Sequence, residues 1–218
     1  GEGISRLTAE INYRKSDYNF FMPFTLPDEI VVVKPTHNTT EGIRADLVEI
    51  KSPSPKRIEP KCEHFFKCGG CLLQHWNFED YSCWKVSRIS YPILKISPKT
   101  TIKTIKTSSI KSRRHVKFKA KRNKSNTIIG FNEYRSKFIT KIEKCIIIES
   151  KLQKLIYDLD EPLHKLLDLG DEIDIHANLL DNGVDLLIGG IDKINYDKLD
   201  IFVDALSKSS VIRIHRKL

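Results

Sequence analysis

Three of the five cysteines in this 218-residue chain crowd into ten residues, Cys62-Glu-His-Phe-Phe-Lys-Cys68-Gly-Gly-Cys71, and a further thiol, Cys145, lies far downstream. Thiolates are soft ligands, and four of them suffice for a tetrahedral zinc or for a four-cysteine iron–sulfur cluster. The Gly-Gly pair suits a loop that folds back on a metal, because glycine tolerates unusual φ/ψ angles and close backbone approach. Backbone N–H groups freed in this way can point at thiolate sulfurs and offset their charge. Two blander readings compete. Buried cysteines act as small hydrophobes, yet unrelated ones rarely crowd so closely. Disulfides need an oxidising compartment, and no signal-peptide pattern follows the first residue. On ligand chemistry alone, zinc and iron–sulfur both stand. The remaining thiol, Cys83, has no base near it in sequence and reads as a packing residue rather than a nucleophile.

The flanks of this stretch are specific too. Ser54-Pro55, Arg57 and Pro60 precede Cys62, while Gln74-His75, Tyr81 and Lys85 follow Cys71. In that order, around C-x5-C-G-G-C, the pattern resembles the bacterial RNA (uracil-5-)-methyltransferases, above all the 23S rRNA enzymes that carry a 4Fe–4S cluster. The resemblance implies that Cys62, Cys68, Cys71 and Cys145 are the ligands and that iron–sulfur, not zinc, is the metal. It implies S-adenosylmethionine-dependent methylation of C5 of uracil in 23S rRNA. In that family the S-adenosylmethionine site and the catalytic cysteine lie in a C-terminal domain. Here no G-x-G-x-x-G follows a strand, and no segment resembles a nucleoside-binding doubly wound sheet. The chain is therefore expected to be the RNA-recognition and cluster portion of such an enzyme, with the C-terminal methyltransferase domain absent. On that expectation it holds no catalytic or S-adenosylmethionine-binding residue and is inactive alone. The alternative is a stand-alone RNA-binding module, stabilised by a cluster or by zinc and without catalysis.

A second constellation is basic. From Tyr81 to Asn132 there is no Asp or Glu, and within that run Lys111-Ser-Arg-Arg-His-Val-Lys-Phe-Lys-Ala-Lys-Arg122 alternates with period two. On a strand, Arg113, His115, Lys117, Lys119 and Lys121 share one face, and Val116, Phe118 and Ala120 share the inward face. Arg114 faces inward unless a bulge or strand end frees it. A solvated face is the bland reading. An acid-free run on one face repels itself unless a polyanion offsets it, and Lys/Arg–phosphate contacts release counterions, so RNA is the expected partner. The resembled family carries paired arginines here, matched by Arg113-Arg114, and a Gly-Phe turn, matched by Gly130-Phe131. Target choice is expected to rest on Phe131, Arg135 and the N-terminal domain.

The elements that must position these residues follow from pattern. Residues 1–55 read as short strands at Tyr18–Phe24, Glu29–Lys34 and Arg44–Ile50, separated by turn clusters, which suggests a small OB-like β-barrel. Met22-Pro-Phe-Thr-Leu-Pro-Asp-Glu and Gly1-Glu-Gly-Ile resemble the TRAM domain, an RNA-binding module of that kind. Ser52-Pro-Ser-Pro-Lys reads as a linker. Residues 56–218 read as a central α/β domain that holds the cluster, so the expected class is α+β. There, Asn77 can cap a helix with Tyr81, Trp84 and Ile89 on one stripe, and Pro92 should end or kink it. Lys137–Ile148 reads as a strand that delivers Cys145. Ser150 can cap a helix bearing Leu152, Leu155, Ile156 and Leu159, with Pro162 interrupting it. Two strands then flank Asp181-Asn-Gly183, and a helix from Tyr196 to Leu206 and a last strand follow. The net charge of +9 favours an anionic partner, and no apolar run approaches a membrane span. A cytoplasmic, monomeric protein is expected.

Overall fold

The computed structural model describes residues 2–11, 13–103, 105–191, 195–207 and 209–217; Gly1 of the Gly1-Glu-Gly-Ile run lies outside them. The chain divides into two compact units, Gly1–Phe65 with Cys71–Lys106 and Phe66–Gly70 with Thr107–Leu218.

The first unit holds β1 (Glu2–Ile11), β2 (Arg14–Pro23), β3 (Ile30–Thr39) and β4 (Gly42–Ser52). Two antiparallel hairpins, β1/β2 and β3/β4, are joined by short parallel pairing of Phe20 with Ile43 and Phe21 with Arg44. Phe20, Met22, Ile43 and Ala45 form the core of this sheet. The strand order is β1-β2-β4-β3, which leaves β1 and β3 as edges among the described residues. The expected OB-like, TRAM-type barrel is therefore corrected to an open four-stranded sheet. A barrel closes only when its first and last strands pair with a consistent tilt and stagger. β1 falls where no strand is expected, because its apolar residues do not alternate cleanly and Ile4 and Leu7 are exposed.

Helix α1 (Phe78–Ile96) starts as expected, with Asn77 Oδ1 accepting from Asp80 N–H at 2.9 Å. It does not stop at Pro92 but runs to Ile96. One missing N–H is tolerable on a helix that buries none of its residues, since water can reach the freed carbonyl. Trp84 packs against Trp76, with ring centroids 5.5 Å apart, whereas Ile89 is exposed. Cys83 is exposed as well, so it is not the packing residue that its sequence context suggests.

The second unit holds a six-stranded mixed sheet in the order β10-β9-β8-β5-β6-β7. Its strands are β5 (His115–Arg122), β6 (Thr127–Asn132), β7 (Ile139–Lys141), β8 (Glu172–Leu179), β9 (Val184–Gly189) and β10 (Val211–Lys217). All neighbours are antiparallel except β9 and β10. Helices α2 (Ser150–Asp158), α3 (Asp160–Leu166) and α4 (Tyr196–Leu206) bury Leu152, Leu155, Leu163 and Phe202 in one core with Val116, Phe118 and Ala120. The period-two reading of β5 thus holds, as does the turn at 181–183. Three expectations are corrected. Glu149, not Ser150, caps α2, its side chain accepting from Lys151 N–H. Gly130 and Phe131 lie within β6, and the turn follows them. The strand expected to deliver Cys145 ends at Lys141, leaving the thiol in a loop. The expected α+β class is thereby corrected to α/β with two open, mixed sheets, since each sheet contains a parallel pair, and no helix among the described residues is long and apolar enough to cross a membrane.

Candidate cluster loop and nucleic-acid interface

Cys62 and Cys71 belong to the first unit, and Cys68 and Cys145 to the second. Cys68 is buried, and the Gly70 N–H points at its Sγ, 3.4 Å away. That N–H···S contact is the kind that stabilises a thiolate. The Cys68 segment is pinned to the end of β6. Gly69 N–H donates to Asn132 O at 2.9 Å, Tyr134 N–H donates to Lys67 O at 3.0 Å, and Cys68 pairs with Glu133 in an antiparallel bridge. A Cβ on Gly69 would stand 3.0 Å from Asn132 O and 3.3 Å from the Glu133 carbonyl carbon, so close approach explains this glycine.

Cys145 is held differently. Its backbone N–H donates to Gln153 Oε1 at 2.7 Å, while Gln153 Nε2 donates to Glu143 O at 3.1 Å. One side chain on α2 thus clamps the loop from both ends, and helical spacing alone did not single it out. Among the described residues, no three His, Cys, Asp or Glu side chains converge as ligands of one metal ion. A four-cysteine iron–sulfur cluster takes one thiolate on each of its irons. The donor set, four thiols with one N–H···S contact, fits the chemistry of such a cluster.

The flanking motif has a structural task in the first unit. Glu29 is 1% exposed at its side chain, and Arg57 is 15% exposed. Arg57 Nε and Nη2 donate to the two carboxylate oxygens at 2.6 and 2.7 Å, and Nη2 also reaches Phe24 O at 2.8 Å. Leu26 and Ser54 N–H groups donate to the same carboxylate. Burial would raise the Glu29 pKa, but the Arg57 bonds and the two backbone donors outweigh it and hold the carboxyl below its ordinary value. His75 is fully buried, with its ring centroid 5.4 Å from that of Phe65. Burial first, and the Arg57 charge second, depress its pKa from 6.5 to about 4. The Ser-Pro, Arg and His of the motif therefore tie the segments around the first cysteine to the sheet.

The basic residues singled out, Arg113, Arg114, His115, Lys117, Lys119, Lys121 and Arg135, lie in the second unit. His115, Lys117, Lys119 and Lys121 do share the face of β5 turned away from the helices. Arg113 precedes the strand and bridges to Ile148 in parallel register. Arg114 turns back, donating to Leu179 O at 3.1 Å and Asp181 Oδ1 at 2.8 Å. The sequence run is acid-free, but the face is not, because β8 lies beside β5. Lys117 pairs with Asp174 at 3.1 Å, Lys119 with Glu172 at 2.7 Å and Asp174 at 3.5 Å, and Lys121 with Glu172 at 3.4 Å. His115 contacts Asn178, and its ring centroid lies 6.5 Å from that of His176. The bond to Glu172 raises the Lys119 pKa and lowers that of Glu172. Burial opposes ionisation of Asp174, but Lys117 and Lys119 prevail and lower its pKa. Three lysines thus face two carboxylates, and the excess positive charge is smaller than the sequence suggests. Phe131 is partly buried against the core, while Arg135 is exposed, with its guanidinium 5.3 Å above the Tyr134 ring. Tyr134 and the acids of β8 were not anticipated. The alternation of β8 was legible, but its place beside β5 was not.

No family model matches the chain. It is 28% identical over 214 residues to an uncharacterized RNA methyltransferase of Brucella melitensis, covering 98% of this chain and 48% of that one. It is 32% identical over 176 residues to one of Caulobacter vibrioides, covering 79% and 41% respectively. It is 32% identical over 157 residues to a 23S rRNA (uracil(1939)-C(5))-methyltransferase of Francisella tularensis subsp. novicida, covering 68% and 33%. The chain thus spans about half or less of the length of these curated relatives. Its fold is similar to that of the Pyrococcus abyssi tRNA (uracil-54, C5)-methyltransferase, solved with S-adenosyl-L-homocysteine. The TM-score is 0.58 at 17% identity, covering 91% of this chain and 48% of that one.

Proposed function

We propose that this chain, whose relatives are RNA methyltransferases, is the RNA-recognition and cluster-bearing part of an S-adenosylmethionine-dependent RNA (uracil-5-)-methyltransferase acting on 23S rRNA. The observation that carries the reading is a similarity to RNA methyltransferases that spans 98% of the chain. The ligands proposed for a 4Fe–4S cluster are Cys62, Cys68, Cys71 and Cys145. The cluster spacing, the Gly70 N–H on Cys68 Sγ and the Gln153 clamp on Cys145 support that set. When bound, the cluster would cross-link distant segments, and metal affinity would then couple to folding. The chain's own residues position the thiols, and no residue here is assigned to methyl transfer.

The ligand set has a direct test. Cys145→Ser should lower the iron content of anaerobically purified protein and lower its thermal midpoint, while Cys83→Ser changes neither. Stoichiometric zinc without iron would remove the iron assignment and leave the ligand set standing.

RNA binding is proposed for the open face of β5 with Arg113, Arg114, His115, Lys117, Lys119 and Lys121, and for Phe131 and Arg135 beside it. Phosphate contacts would set position rather than sequence. Lys117→Ala with Lys119→Ala should weaken RNA binding evenly across sequences. The slope of log affinity against log salt should drop by roughly one to two units, at about 0.7–0.9 for each phosphate that is no longer neutralised. Asp174→Asn should move affinity the other way, because it removes a carboxylate from the same face. An unchanged slope in the folded double mutant would mean that Glu172 and Asp174 already satisfy these lysines.

A further inference from the structure

A cavity of about 480 Å³ opens in the second unit beside Gly69 and Gly70, and its walls include Lys117, Lys119, Tyr134, Arg135 and Asp174. We infer that it takes one unpaired nucleotide of the bound RNA, base inward. This rests on the RNA-binding reading above and assigns a pocket within it. The volume lies in the range of sites that enclose a small ligand, roughly 300–1,000 Å³.

The lining decides the ligand class. The Arg135 guanidinium lies 5.3 Å from the Tyr134 ring centroid, which puts a planar cation beside an aromatic ring, the two side-chain types on which unpaired bases stack. Lys117 and Lys119 supply the cations for the adjoining phosphate. Glu133 and Asp174 also line the space. Two carboxylates make it a poor seat for a bare phosphate, whereas they can accept from the N–H groups of a base. A duplex offers no exposed base face, so the chemistry selects a single strand or a bulge.

The wall is preorganised. Gly69 N–H to Asn132 O, Tyr134 N–H to Lys67 O and the Cys68–Glu133 bridge fix the Cys68 segment against the turn after β6. Arg135 holds φ +53°, a left-handed conformation uncommon outside glycine, and so is presented by the turn in one defined direction. The same segment that carries a proposed cluster ligand therefore forms one wall of the nucleotide pocket.

The test uses the full chain, a fluorescein-labelled single-stranded heptaribonucleotide and a blunt duplex of the same sequence. Tyr134→Ala should weaken single-strand binding roughly tenfold, leave the salt slope unchanged and leave duplex binding unchanged. Tyr134→Phe should restore it, and Arg135→Ala, at an exposed side chain, should weaken it in the same selective way. If Tyr134→Ala and Arg135→Ala leave single-strand affinity within twofold of wild type, or weaken single strand and duplex equally, the pocket assignment is overturned. In that event, a persistent effect of Lys117→Ala with Lys119→Ala spares the wider RNA reading. Loss of that effect too, or no binding by the wild type, sinks both.

Discussion

Arg57→Ala should lower the stability of the first unit by about 3–5 kcal/mol, the range for breaking one half of a buried ion pair. The side chain of Glu29 is almost wholly buried, and its carboxylate accepts from Arg57 and from the Leu26 and Ser54 N–H groups. Removal of the guanidinium leaves that charge buried with two backbone donors, and it also frees Phe24 O. Glu29→Ala should be similarly severe, since it orphans Arg57 and both N–H groups. The double variant should lose less than the sum, because neither charge is then stranded. Urea unfolding followed by tryptophan fluorescence reads this unit selectively, since both tryptophans, Trp76 and Trp84, lie in it. A loss below about 1 kcal/mol for Arg57→Ala would mean that the pair is solvated and the motif arginine serves another task.

Acid should destabilise the same unit well above the range in which carboxylates ordinarily protonate. The pKa of His75 is depressed from 6.5 to about 4, by burial first and by Arg57 second. A base whose folded pKa is lowered stays neutral in the native state while the unfolded chain takes up its proton. Stability is therefore intact above pH 6.5 and falls as the pH drops towards 4, by roughly 3 kcal/mol at 1.36 kcal/mol per pKa unit. Glu29 acts in the adjoining window. Its lowered pKa adds stability that is present above about 4.5 and lost as the pH falls through the folded value. Denaturation midpoints measured from pH 7.5 to 4 should slope accordingly, and His75→Leu should flatten the part between 6.5 and 4. A wild-type profile that is level across that range would exclude a buried neutral His75. Arg57→Ala should also make the slope shallower, because one of the two influences that depress His75 disappears.

Several local signals were legible where a residue's role depends on its near neighbours in the chain, although the cap of α2 fell one residue earlier than expected, at Glu149. The alternation of His115–Arg122 placed Val116, Phe118 and Ala120 in the core, Asn77 started α1, and Asp181-Asn-Gly183 turned β8 into β9. The spacing of Cys62, Cys68 and Cys71 is likewise local, whereas the tight seat of Gly69 is set by Asn132 and Glu133 across the fold. Other features turned on partners far away. The lysines of β5 read as an acid-free face because Glu172 and Asp174 follow them by about fifty residues. Strand order alone brings those carboxylates within ion-pair distance. Arg57 and His75 read as motif residues, and only the buried Glu29 reveals that they brace the first unit.

Closure of the N-terminal sheet was undecidable from its strands for the same reason. Periodicity reports which side of a strand is buried, but not which strand lies beside it. The sequence by itself determined the inward face of β5, the Asn77 cap of α1 and the turn at 181–183, since each follows from residues a few positions apart. The tertiary structure decided that the β1–β4 sheet stays open, that Cys145 hangs on Gln153, and how much positive charge the β5 face retains. Each of these depends on pairings whose loop closure is settled by the packing of the whole chain.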